Sequence, residues 1–114
     1  MVDSAAEFDS ARQGLAGLDA LLNNPLRLGI CVLLAEADEM NFSRLSGLLD
    51  ATDGNLGAQL RKLEDAGYVS VHKEFVDRKP VSWYELTPAG DEALRAHLAA
   101  MEAVVRSVGG GKGE

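Results

Sequence analysis

Apolar residues recur along the chain at intervals that predict five helices, one very short strand and one β-hairpin. Leu15, Leu18, Leu21 and Leu22 stand at helical spacing and predict a short first helix, broken by Asn23-Asn24-Pro25. Asn24 suits the N-cap of a second helix and Pro25 its first position. Leu26, Ile30, Leu33 and Leu34 give that helix an apolar face ending near Ala37. A polar turn, Asp38–Asn41, leads into a very short strand over Met40–Phe42. Ser43 is the expected cap of a third helix carrying Leu45, Leu48 and Leu49. After Asp50-Ala51, Thr52 caps a fourth helix, with Asp53 at its electropositive end. Gly67 closes that helix as a left-handed residue. Tyr68, Val69, Val71 and Phe75, then Val81, Trp83, Tyr84 and Leu86, predict two strands around the polar connection Val76–Pro80. Thr87-Pro88 starts a last helix with Leu94, Leu98, Met101, Val105 and Val108 on one seam. Residues 1–14 and 109–114 read as flexible flanks, the first acidic and the second rich in glycine.

Composition adds limits to this picture. The 114 residues suit one domain with one core, and 46% hydrophobic content favours folding over disorder. The single cysteine, Cys31, cannot form an intramolecular disulfide, and it sits beside an apolar stripe where a buried thiol is favoured over a redox sensor. No Cys/His cluster has metal-ligand spacing, so no metal or other cofactor is expected. No apolar run approaches the ~20 residues needed to cross a bilayer, and the polar N-terminus does not resemble a signal peptide. A reducing, cytoplasmic setting fits. No nucleophile–base pair or phosphate loop points to an enzyme.

The net charge of −7 opposes nucleic-acid binding if averaged over the surface. It is unevenly spread. Residues 1–40 hold 2 basic and 7 acidic side chains, whereas residues 41–83 hold 6 of each. Screening over ~8–10 Å makes the local balance matter more than the total.

The chemistry concentrates in the fourth helix and the hairpin. Leu56, Leu60 and Leu63 form the buried stripe of that helix at about 100° per residue. The opposite side presents Gly54, Asn55, Ala58, Arg61 and Lys62, with Gln59 at the margin. Small residues permit close approach to a groove, and Asn55 and Gln59 are amides able to pair bidentately with adenine. A solvated helix would carry the same residue types. In the hairpin, Arg78 and Lys79 stand at the tip, with His72 and Lys73 on the incoming strand. Such cations reach phosphates, or simply guard a sheet edge.

Several motifs together carry a resemblance over roughly residues 15–106. They are N-P-L-R-L at Asn24–Leu28, T-D-G-N-L at Thr52–Leu56, and L-x-x-L-E-x-A-G-Y-V from Leu60 to Val69. D-R-K-P at Asp77–Pro80 and W-Y-E-L-T-P-A-G at Trp83–Gly90 complete the set. The chain resembles the small winged helix-turn-helix transcriptional regulators of bacteria and archaea, related to the MarR and ArsR groups. The resemblance implies a mainly α fold with a small β-hairpin and an extra C-terminal dimerisation helix. It implies a homodimer on a roughly palindromic operator of double-stranded DNA. The recognition helix would span 52–66 and the wing 72–82, with the DNA-binding domain over 15–87 and the dimerisation helix over 88–108. DNA contacts are expected from Arg44, Thr52, Asp53, Gly54, Asn55, Ala58, Gln59, Arg61, Lys62, Lys73, Arg78 and Lys79. Gly57-Ala58 departs from the family pattern, in which Ser and a larger polar or basic residue are frequent there. One Cys with His72 and His97 does not form the ligand set of metal-sensing members, and no residue set specifies an effector.

The last helix reaches some twenty residues past the wing, further than so small a core needs. Dimerisation is therefore expected through Leu94, Leu98, Met101, Val105 and Val108, helped by Leu15, Leu18 and Leu22. Against DNA binding stands a different reading, a winged helix used as a protein-interaction module, which the acidic total favours.

Overall fold

The computed structural model describes residues 8–109. The helices are α1 (Asp9–Ala16), α2 (Pro25–Ala37), α3 (Phe42–Leu49), α4 (Asp53–Asp65) and α5 (Pro88–Gly109), with a 3-10 turn at Ala20–Leu22. Strands β1 (Glu39–Asn41), β2 (Val69–Val76) and β3 (Lys79–Leu86) form an antiparallel sheet in the order β1-β3-β2. Capping chemistry explains most boundaries. The Asn24 side chain accepts the Arg27 N–H at 2.9 Å beside Pro25, and Thr52 accepts the Asn55 N–H at 3.2 Å. Gly67, at φ +80°, ends the α4 segment in the left-handed conformation.

Three expectations about where the first elements begin and end need correction. Asn41, not Ser43, caps α3: pairing opposite Trp83 holds Asn41 extended, and its side chain accepts the Arg44 N–H at 2.8 Å. Phe42 is accordingly helical rather than part of the short strand. Second, the leucines from Leu15 to Leu22 do not share one helix. Asp19 is extended and caps the 3-10 turn, so α1 ends at Ala16. Third, residues 9–14 are helical and pack on α5, where a flexible flank was expected. The parts of the two flanks at 1–7 and 110–114 lie outside the described residues.

The α1–α5 contact is made by glycine. A Cβ on Gly14 would lie 2.9 Å from Val104 Cγ2 and 3.1 Å from the Ala100 carbonyl oxygen. The main core gathers Leu22, Ile30, Leu34, Leu45 and the α4 stripe Leu56, Leu60 and Leu63 against Val69, Tyr84 and Leu94. Leu22 and Leu94 are therefore interior residues of the protomer, 0% and 3% exposed, and are removed from the expected dimer seam. Hydrophobicity marks them as buried but does not say against which chain.

A polar network joins the core to α5. The buried His97 accepts the Asp19 N–H on Nδ1 at 2.9 Å, while the Tyr68 hydroxyl donates to Asp19 Oδ2 at 2.5 Å. This bond is the main reason the Tyr68 hydroxyl is pushed up to about 12, with burial adding to it. Burial, and then the Asp19 charge, pushes the Cys31 thiol up to about 11. For both groups the folded protein favours the protonated form more than the unfolded chain does. Their contribution is complete below the ordinary values of 9.0 and 10.0 and is lost as pH rises through 11 and 12. Urea midpoints should therefore fall across this alkaline window. Tyr68→Phe should be less stable at neutral pH by about 1–3 kcal/mol and show a shallower alkaline decline. An unchanged slope in the variant would show that Tyr68 carries none of it.

Candidate nucleic-acid interface

α3 and α4 meet at a tight turn in which Asp50 is left-handed at φ +51°. The Ser46 hydroxyl donates to the Ala51 carbonyl at 2.8 Å and stands 3.4 Å from the Asp53 carboxylate, tying the turn to the start of α4. The three leucines of α4 are buried, so the opposite face is fixed outward. Thr52, Asp53, Gly54, Asn55, Ala58, Arg61 and Lys62 are all exposed, and Gln59 is half-buried. A Cβ on Gly54 or Gly57 would meet nothing within 4 Å, so the protein's own packing does not require glycine at either position.

The two amides do not stand free. Arg27 Nη1 donates to Gln59 Oε1 at 2.5 Å, and Gln59 Nε2 donates to Asn55 Oδ1 at 3.1 Å. Arg27 Nε in turn donates to the Leu21 carbonyl at 2.6 Å. Each amide oxygen thus already accepts one hydrogen bond and keeps one lone pair, so the adenine pairing expected of Asn55 and Gln59 would share these contacts or displace them. The hydrogen bonds tie both amides to a cation on α2. Arg27 is a positioning residue that sequence reasoning did not single out. Its signal was a lone cation in the apolar helix Pro25–Ala37, with no acidic residue three or four places away.

The wing is tighter than the expected polar connection of five residues. Val76 pairs with Lys79, so the turn is Asp77-Arg78 alone, with φ of +52° and +68°. Two left-handed residues define a type I′ turn, whose twist suits a hairpin. The second position ordinarily takes glycine, and a side chain there costs about 1–2 kcal/mol. Arg78 is held in that conformation with its side chain exposed. Val76–Lys79 is the hydrogen-bonded pair of such a hairpin, so Phe75–Pro80 is the non-bonded pair and Pro80 removes no ladder bond. Lys73 and Lys79 are exposed, as is Arg44 in the first turn of α3. Trp83 lies on the opposite face of the hairpin from Tyr84 and donates from Nε1 to Glu74 Oε1 at 3.1 Å. Tyr84 packs in the core.

Comparison with known proteins agrees with this geometry. Residues 26–105 match the family model described as a winged helix DNA-binding domain. An uncharacterized protein of Methanocaldococcus jannaschii is 30% identical over 78 residues, covering 68% of this chain and 85% of that protein. The transcriptional regulator homologue protein from Pyrococcus horikoshii OT3 superposes with a TM-score of 0.77 at 32% identity, over 88% of this chain and 97% of that one. The fold is also shared with Lactococcus lactis ZitR, a zinc-responsive MarR family member, at a TM-score of 0.56 and 19% identity. That match covers 73% of this chain and 56% of ZitR, and a ZitR mutant has been solved in complex with DNA at a TM-score of 0.55 to this chain. The chain belongs to the winged helix DNA-binding domain family and has the MarR-like form of that fold found in transcriptional regulators.

Proposed function

We propose that the protein is a cytoplasmic transcriptional regulator, not an enzyme, that binds a roughly palindromic operator as a homodimer. The α4 segment 52–66 lies in the major groove and the wing 72–82 holds the backbone or minor groove. Arg78 carries this reading most directly: a cation is kept at a turn position that backbone sterics assign to glycine, at the tip of a wing beside a helix-turn-helix. The helix face itself is nearly neutral, so phosphate attraction depends on Arg78, Lys79, Lys73 and Arg44.

What α5 leaves uncovered supports the homodimer. His97, Ala100 and Val104 face inward to the core and α1, whereas Leu98, Met101, Val105 and Val108 remain exposed on a second side. Leu15 on α1 is exposed near the same end, and Leu18 is half-buried beyond it. A second copy would cover this seam and set two reading heads about one turn of DNA apart, ~34 Å.

A mobility-shift titration against the gene's own upstream DNA, repeated at several salt concentrations, tests the proposal. Arg78→Gly should relax the turn and raise stability by up to about 1 kcal/mol while weakening DNA binding. The slope of log K against log salt should flatten by about 0.9 for each phosphate the variant no longer neutralises. No shift by the wild-type protein even at low salt would favour the protein-interaction module that the net charge of −7 suggests.

A further inference from the structure

Phe75 is 78% exposed, more than any other large apolar side chain among the described residues. It belongs to no part of the packed core. Side chains alternate along the hairpin, so Phe75 shares a face with Val69 and Val71, the face that packs against the helices nearer the base. By Lys73 that core has ended, and Phe75 with its partner Pro80 continues the face into solvent. β1 reaches only Trp83–Glu85, so this outer half of the hairpin is a free two-stranded finger.

The charges around this apolar pair select its partner. Lys73 precedes it on the same face, and Arg78 and Lys79 follow at the turn. Of the two intervening carboxylates, Glu74 is turned to the other face, which Lys79 shares, and is held by the Trp83 indole, while Asp77 stands beside Arg78 in the turn. The finger thus presents a flat ring and a rigid pyrrolidine between cations. That combination suits the minor groove of a duplex, where phosphates line the rim and apolar side chains can enter a base step.

We propose that Phe75, backed by Pro80, is a wedge that enters the minor groove beside the α4 site and partly unstacks one base step. This inference rests on the DNA-binding reading above and adds a deformation of the DNA to it. Specificity would then include flexible pyrimidine–purine steps at positions the wing never hydrogen-bonds.

The test uses the full-length protein and duplexes of the upstream DNA carrying 2-aminopurine, a fluorescent adenine analogue that brightens when unstacked, at successive steps flanking the site. Wild-type protein should raise the fluorescence at one step in each half-site. Phe75→Ala, at an exposed position, should abolish that rise, leave the salt slope unchanged and weaken binding roughly tenfold or more. Phe75→Leu should keep part of both effects. Wild-type fluorescence and affinity in Phe75→Ala would overturn the wedge alone. A change of oligomeric state in Phe75→Ala would also overturn it, by assigning the ring to a contact between copies. Failure of the wild-type protein to bind any of the duplexes would remove the DNA-binding reading and the wedge together.

Discussion

Gly90→Ala should destabilise the protein by about 3 kcal/mol, a larger effect than a helical glycine-to-alanine change ordinarily has in either direction. Gly90 is buried, and a Cβ there would stand 2.1 Å from the Tyr68 carbonyl oxygen and 2.9 Å from the Tyr68 carbonyl carbon. Neither is the movable end of a side chain. The same junction is fixed by hydrogen bonds: Thr87 donates its N–H to the Tyr68 carbonyl at 3.0 Å and its hydroxyl to the Gly67 carbonyl at 2.6 Å. The Gly90 N–H donates back to Thr87 Oγ1 at 3.0 Å. Moving α5 outward to admit a methyl group would stretch the whole set. Thermal unfolding should show a midpoint lowered by roughly 10–20 °C. Gly54→Ala is the control, because its Cβ would meet nothing within 4 Å. That variant should gain up to about 1 kcal/mol from helix propensity. Equal midpoints for the two variants would show that α5 docks more loosely than this contact implies.

The second large effect concerns assembly. Met101→Glu with Val105→Glu should yield a folded monomer, because both side chains are exposed in the protomer, at 37% and 68%. Two facing carboxylates at each position would oppose pairing through the seam. Sedimentation at micromolar concentration should show one protomer mass, and circular dichroism should be unchanged. Operator affinity should fall by about 10²–10⁴-fold, since each head would then bind without the other holding it nearby. A double variant that still sediments as a dimer would place the interface elsewhere. A monomer with wild-type affinity would show that one head suffices.

Local chemistry makes much of this fold legible from the chain alone. Asn24-Pro25, Thr52-Asp53 and Gly67 work over a few residues, so their caps and stops can be read directly. The choice between Asn41 and Ser43 cannot, because both side chains can cap. Pairing with Trp83, forty-odd residues away, decides between them. α1 is hidden for a different reason: its inward face includes Gly14, which contributes closeness but no apolar periodicity. In the candidate site, exposure of the Thr52–Lys62 face follows from the leucine spacing. The state of its amides does not, since Gln59 is engaged by Arg27 across thirty-two residues of sequence.

The glycine contact between α1 and α5 also has a consequence in time. During synthesis α1 emerges before α5, and Val104 follows ninety residues behind Gly14. At ~5–20 residues per second, several seconds pass before α1 has anything to bury against. α1 is also eight residues long, too short to hold a helix by itself in water. The winged helix can therefore close its core first, and α1 folds only in a late, long-range closure. A nascent chain would possess a complete wing and helix-turn-helix before it possessed the finished scaffold under the exposed side chains of α5.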